Sequence, residues 1–425
     1  MITGDATGLP LPATPEELAQ AGADWLTQAF RAFGSLDQGN AVAKVVSCQT
    51  ANGGNSGAKA LLELTYAQPD PALDTRLFVK FSRDFADPFR DRRKHELEAE
   101  VRLAVLSRHP AFPVKVAKAW FADFDHESGT GLLITSCVPF GSGRIEPQRR
   151  KCRDHELSDP LPWYRATMTA LAQLAAADKA GQLSPELERL FPYDRDVAAA
   201  DMPFACDATE VSARVARYAA LAQSAPQLFP EAIRTPDFLQ RMERDALALL
   251  RHETALRHFL HADERLIALT HWNTNLDNAW FEREPDGRLT AGLLDWGMVR
   301  RMNGAYGIWG GLSAAEPAML LDQLDGLLEL YAQELAAHGG PAIDPDELGL
   351  HFDLSLALLG MALMLDAPAL FAARMPNIAQ ANGPHNPMIA ADGVVEGFLK
   401  VFTNFLLLWE QRDFGRSLAR MLERV

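Results

Sequence analysis

The chain has 425 residues, 48% apolar and 23% charged, the balance of a globular protein long enough for two or three domains or one bilobal one. Its formal charge of −15 argues against nucleic acid or an anionic membrane as a partner, since both are held through basic surfaces. Cys48, Cys137, Cys152 and Cys206 are scattered without CxxC spacing, and the first residues lack a basic-then-apolar leader, so reduced thiols in a cytoplasmic protein are expected. The most apolar run, Leu354 to Leu365, lies between Asp353 and Asp366 and is too short to span a bilayer, so it reads as a buried helix.

The first helix is signalled by Thr14 as a cap, Pro15 at the first helical position and Glu17 as the capping-box partner. Leu18, Ala21, Trp25 and Ala29 recur at helical spacing up to about Phe33, with Gly22 as a weak point in the pattern. Ala41 to Cys48 reads as a strand, followed by a Gly-rich turn, Asn52 to Gly57, and by an alternating strand from Ala60 to Tyr66. Leu77 to Phe81 is a third strand, with Lys80 flanked by apolar residues. A charged helix over about Arg92 to Ser107 follows, with Glu100 among its apolar positions and Glu96 one turn away. Pro113 to Phe121 and Gly131 to Ser136 supply two more strands.

Beyond Pro139 the pattern is mainly helical, with an Ala-rich amphipathic stretch from Trp163 to Ala180 and further helices over about 209–224, 236–261, 315–338, 346–374 and 391–423. One interval breaks this run of helices. A short apolar run from Leu266 to Leu269 leads into His271, and Asn273 and Asn278 follow. The apolar Ala279-Trp-Phe281, the turn signal Glu284-Pro-Asp-Gly287 and a second apolar run ending at Asp295 complete a strand, loop, strand, turn, strand order. Asn278 and Asp295, brought together by the hairpin, are oxygen donors suited to a hard cation such as Mg²⁺.

His271, Asn278, Asp295 and Gly297 resemble the catalytic core of the protein-kinase-like phosphotransferases, most closely the aminoglycoside phosphotransferase and choline kinase group. The order of three strands, a helix and two strands before Pro139 is similar to the small lobe of that fold. The resemblance implies an α+β, bilobal, protein-kinase-like fold: a small lobe of antiparallel sheet plus one helix, and a larger, mainly helical lobe. The expected division is an N-terminal helical extension over 1–34, a nucleotide-binding lobe over 35–138 and a helical lobe over 139–425. It further implies ATP or GTP with Mg²⁺ as cofactors and a small-molecule acceptor. Lys80 would hold the nucleotide phosphates and pair with Glu100 (or Glu96), and Ser56 in the Gly-rich turn would offer a hydroxyl. Ser136 and Val138 would lie on the hinge that meets adenine, Asn278 and Asp295 would hold the metal, and His271 would buttress the loop.

The sequence departs from the pattern at one position. The base Asp is Asn273, an amide that accepts a proton very poorly. Phosphoryl transfer relies mostly on positioning and charge neutralisation, so a slow enzyme is one expectation. A pseudokinase that binds nucleotide as a scaffold or sensor is the other. Asp277 adjoins the metal ligand Asn278 and is a poor replacement base. Trp272, Trp280, Trp296 and Trp309 read as core residues first, and as stacking surfaces for a flat acceptor second.

Overall fold

The computed structural model describes residues 2–51 and 57–424, which divide into two compact units. Unit 1 comprises residues 1–147, 181–192 and 292–300; unit 2 comprises 148–180, 193–291 and 301–425. Asn52 to Ser56 of the Gly-rich turn lie outside the described residues.

Unit 1 opens on α1, Pro15–Phe33, capped by Thr14, whose hydroxyl accepts from the Glu17 amide. Glu17 reaches back to the amide of Ala13, one residue before the cap. Gly22 leaves helical geometry at φ 70°, a conformation that costs glycine little, so the helix kinks there. Five strands form an antiparallel sheet: β1 (Val42–Thr50), β2 (Lys59–Tyr66), β3 (Arg76–Phe81), β4 (Ala119–Asp125) and β5 (Thr130–Ser136), in the order β1-β2-β3-β5-β4. Between β3 and β4 lies α2, Glu96–Leu106. The first helix is not peripheral to this sheet. Trp25 meets Phe121 edge-on at 5.4 Å, Phe30 packs on Trp120 at 5.5 Å, and all four rings are buried in one apolar core.

Unit 2 is mainly helical. Its principal helices are α3 (Leu161–Lys179), α4 (Ala208–Ser224), α5 (Pro236–Arg251), α6 (Glu253–Ala262), α7 (Gly304–Leu312), α8 (Pro317–Ala337), α9 (Pro345–Leu359), α10 (Ala367–Arg374), α11 (Gly393–Arg412) and α12 (Phe414–Leu422). The helical stretch Pro345–Arg374 is long and apolar enough to cross a membrane, and 56% of its most apolar window is buried inside the protein. Every residue from Leu348 to Leu359 is buried, as expected of a core helix. Within the helices runs β6, Ile267–His271, buried along its whole length. Asp178 at the end of α3 accepts from the Leu269 amide at 2.6 Å, which fixes β6 against that helix. After the loop, β7 (Ala279–Arg283) is followed by a turn closed by Gly287 and Arg288 on Glu284.

The class expected from the sequence is the one found: α+β, with an antiparallel sheet and helix in one unit and a mainly helical second unit. Helix boundaries differ by a few residues at α2, where a separate short helix, Arg90–Arg93, precedes Glu96. Pro113 to Phe121 is two elements, Lys115–Val116 and then β4.

Candidate functional site

In unit 1 the candidate site centres on Lys80. Its position on β3 is opposite Lys59 of β2 and Leu133 of β5. The Lys80 ammonium donates to both carboxylate oxygens of Glu100, at 2.9 and 2.8 Å, and to Asp295 Oδ1 at 2.7 Å. Glu96, the other candidate partner, pairs with Arg83 and Arg93 at 3.3 Å instead. One turn of helix decides between them: Glu100 is buried on the sheet side of α2, and Glu96 lies toward the Arg83 side.

The electrostatics follow from burial and pairing. Burial works against the charge on Lys80, but Glu100 and Asp295 overcome it and hold the ammonium above its ordinary range. Burial pushes the Glu100 carboxyl up, Lys80 opposes that, and the Asp295 charge adds to it. Asp295 differs from Glu100 in exposure, with 42% of its side chain open against 5%. Its backbone stands at φ 61°, ψ 58°, a left-handed conformation that is costly for a residue with a Cβ. Trp296 anchors the turn after it by donating to the Leu293 carbonyl at 3.1 Å, and Gly297 packs against Glu96 and Glu100.

Sequence reasoning missed Lys59. It is buried, its ammonium donates to the Gly57 carbonyl at 3.1 Å, and its charge is disfavoured by burial and by Lys80. Lys59 is the first residue of β2, two residues after the Gly-rich turn, a place where a charged residue draws no notice. Ser136, expected on the hinge, ends β5, and Val138 lies two residues beyond it. The Ser136 amide donates to the Lys118 carbonyl at 2.9 Å and its hydroxyl donates to Asp74 at 2.5 Å. The Val138 carbonyl accepts from Phe140 at 3.0 Å.

In unit 2 the loop after β6 brings His271, Asn273 and Asn278 together. The Asn273 amide donates to His271 Nδ1 at 3.4 Å, and Asn278 Nδ2 donates to the Asn273 carbonyl at 2.7 Å. That bond uses the nitrogen end of the Asn278 amide; its oxygen is the end a hard cation would take. Asn273 Oδ1 accepts from Asn275 Nδ2 at 3.3 Å. Asn275, also missed, is buried, and its Oδ1 accepts from the Ser313 hydroxyl and the Ala314 amide, both at 3.2 Å. His271 is wholly buried under the loop, while Asn273 and Asn278 are half-buried. Trp280, Trp296 and Trp309 are core residues, and Trp272 is half-buried in the loop.

The loop is shaped by glycines of α7. A Cβ on Gly310 would stand 1.9 Å from the Trp272 carbonyl oxygen, and one on Gly307 would stand 2.4 Å from the Thr270 methyl. A Cβ on Gly311 would stand 2.7 Å from the Met168 methyl. The helix therefore lies directly on β6 and its loop, at a separation any larger side chain would prevent.

Comparison with known proteins adds outline resemblances. No family profile matches this chain, and no curated protein does. Among solved structures it is similar to a microcompartment-associated aminopropanol kinase, at 12% identity over 88% of this chain and 94% of the other, with a TM-score of 0.44. A choline/ethanolamine kinase family protein from Mesorhizobium loti matches at 12% identity over 88% and 92%, with a TM-score of 0.42. A spectinomycin phosphotransferase in complex with ADP and spectinomycin matches at 10% identity over 89% and 94%, with a TM-score of 0.40.

Proposed function

We propose that this protein is a small-molecule phosphotransferase that moves the γ-phosphoryl group of ATP or GTP to an acceptor hydroxyl. The observation that carries this reading is Lys80, a buried ammonium held by Glu100 from the neighbouring helix and by Asp295 from 215 residues away. A lysine whose only task was packing would not need a second carboxylate that is partly open to solvent and held in left-handed backbone. Glu100 fixes the ammonium; the exposed Asp295 is the partner that can exchange it for ligand. Lys80 would then turn to the nucleotide phosphates, with Lys59 as a second cation beside it.

Asp295 and Asn278 each present an oxygen donor of the kind Mg²⁺ takes, and the chemistry of these donors fits that ion. When bound, Mg²⁺ supplies charge neutralisation at the phosphates. His271 fixes the loop backbone, and Asn273 would orient the acceptor hydroxyl through its amide. Since Asn273 cannot take the proton, the reaction is expected to be slower than with a carboxylate there, by about 10²–10⁴-fold.

The same amide favours a second reading, a pseudokinase that binds nucleotide as a scaffold or sensor. Turnover separates the two. ATP or GTP consumption is measured across a library of small hydroxyl compounds, with wild type and Asn273→Asp side by side. Turnover by either form supports the transferase; nucleotide binding without turnover by both supports the silent module.

A further inference from the structure

Unit 2 contains a cavity of about 190 Å³ that the phosphotransfer reading does not use. Leu228 and Leu399 line it on the apolar side, and Glu316, His385, Glu396 and Lys400 on the polar side. Such a volume admits a small molecule of benzene size or somewhat larger. At its edge three residues from distant parts of the chain converge: His155 ahead of α3, Glu316 at the N-cap of α8, and His385 in the loop before α11. One donor atom from each lies within 4.8 Å of the other two.

His155 Nδ1 is buried and makes no hydrogen bond. Glu316 Oε1 stands 3.7 Å from it, beyond hydrogen-bond range. A buried imidazole nitrogen left in this state is costly, and among the described residues none hydrogen-bonds to it. The His385 ring stands 4.1 Å from the His155 ring, centroid to centroid, too close for both to carry charge comfortably. Asp154 fixes the third member by accepting from the Glu316 amide at 2.6 Å.

We propose that His155, Glu316 and His385 form a three-ligand site for Zn²⁺ that opens on this cavity. Two imidazoles and a carboxylate are a zinc set, and three protein ligands leave a fourth position for water or for a donor atom of a small molecule in the cavity. Occupation would satisfy the orphan nitrogen of His155 and tie three otherwise separate segments together. Lys400 already donates to Glu316 Oε1, so it competes with the metal for this carboxylate.

A second group, His95, Glu98 and His126 in unit 1, has similar composition and serves as the internal control. There both imidazoles already sit on the carboxylate, at 2.7 and 3.1 Å, and Arg102 pairs with it as well. The imidazole nitrogens that face the carboxylate are thus already hydrogen-bonded to it.

The test is a Zn²⁺ titration of the full-length, chelator-stripped protein against a chromophoric chelator, repeated with Co²⁺ to read four-coordinate geometry from its visible absorption. One equivalent is expected to bind. His155→Ala and His385→Ala should each weaken binding by at least about 100-fold, more than the loss of a ligand's hydrogen-bonding partner costs. His385 is exposed on a loop, so its removal leaves the fold intact, which circular dichroism checks. Lys400→Met removes the competing cation and should tighten binding by about tenfold or more, a gain that a damaged fold would not give. The His126→Ala control should be without effect. Failure to compete with the chelator would overturn the proposal. So would loss of binding in His126→Ala rather than His385→Ala, or weaker binding in Lys400→Met.

Discussion

Glu100 places both carboxylate oxygens within 2.9 Å of the Lys80 ammonium, and neither side chain is more than 13% exposed. A pair this buried is weak evidence of net stabilisation, because both charges lose water to form it. Breaking it by removing one partner is another matter. In Lys80→Met, Glu100 keeps its burial and loses its cation. Its carboxyl, already raised by burial in the wild type, should rise further and hold a proton in the folded state. A group with a raised folded-state pKa contributes stability at low pH and loses it as pH rises. Lys80→Met should therefore be less stable than wild type by a few kcal/mol at pH 8, with a smaller deficit at pH 5. Urea titrations at the two pH values measure this; a deficit independent of pH would show that Glu100 does not depend on Lys80.

Asn273→Asp should fold as wild type does, since its side-chain oxygen accepts from Asn275 Nδ2 and a carboxylate accepts that bond equally well. The variant gains a base. With an intact acceptor site, turnover should rise by one or more orders of magnitude, within the usual range for general-base catalysis. Nucleotide affinity must be measured separately, because an added negative charge would also act on a polyanionic ligand. A slower variant would show that the amide itself serves the reaction.

Gly310→Ala should damage the loop from behind. The added methyl would meet the Trp272 carbonyl oxygen, which is backbone and cannot swing aside. Overpacking of this kind costs about 1–3 kcal/mol, and more when backbone must move. Melting temperature and turnover should both fall. Gly326→Ala, in the middle of α8 with open space at its Cβ, is the matched control and should be neutral or slightly stabilising. Equal effects at the two positions would remove the argument for close packing of α7 on β6.

His351 gives unit 2 a pH dependence. It is buried on Phe259 and paired with Asn303 Nδ2 at 2.9 Å, and burial lowers its pKa from 6.5 to about 4. The unfolded chain then binds a proton that the folded state refuses between these values. Stability contributed by neutral His351 is complete above the unfolded pKa and is lost as pH falls toward 4. The loss amounts to about 3 kcal/mol over the interval. His351→Gln should flatten this part of the wild-type stability profile, read as the difference between the two urea-unfolding curves from pH 7 to pH 4. Parallel profiles would rule the mechanism out.

Much of this was legible in the chain. Lys80 announced itself as a charge inside an apolar strand, and Glu100 as an acid among the apolar positions of the next helix. Both signals are local and periodic. Asn278 and Asp295 stood out by position, Asn278 just before the apolar Ala279-Trp-Phe281 and Asp295 at the end of the run after the turn signal. What escaped were residues whose role lies in distant contacts. Asn275 reads as one polar loop residue among several until Ser313 and Ala314 arrive from the end of α7. The glycines of α7 read as helix weakness, and only their approach to Trp272 and Thr270 explains them. Lys59 was hidden for a simpler reason: it begins its strand, where a charged residue is ordinary.

The central claim is that Lys80, Asp295 and the Asn273 loop serve phosphoryl transfer, and ADP release in a small-molecule acceptor screen tests it most directly. Wild type, Asn273→Asp and Asp295→Ala are run together with ATP or GTP and Mg²⁺, and nucleotide binding is followed in parallel by thermal shift. The expected result is nucleotide-dependent stabilisation of wild type, acceptor-dependent ADP release that rises in Asn273→Asp, and loss of both signals in Asp295→Ala. Absence of any thermal shift with either nucleotide, together with no acceptor-dependent release by wild type or Asn273→Asp, would contradict it.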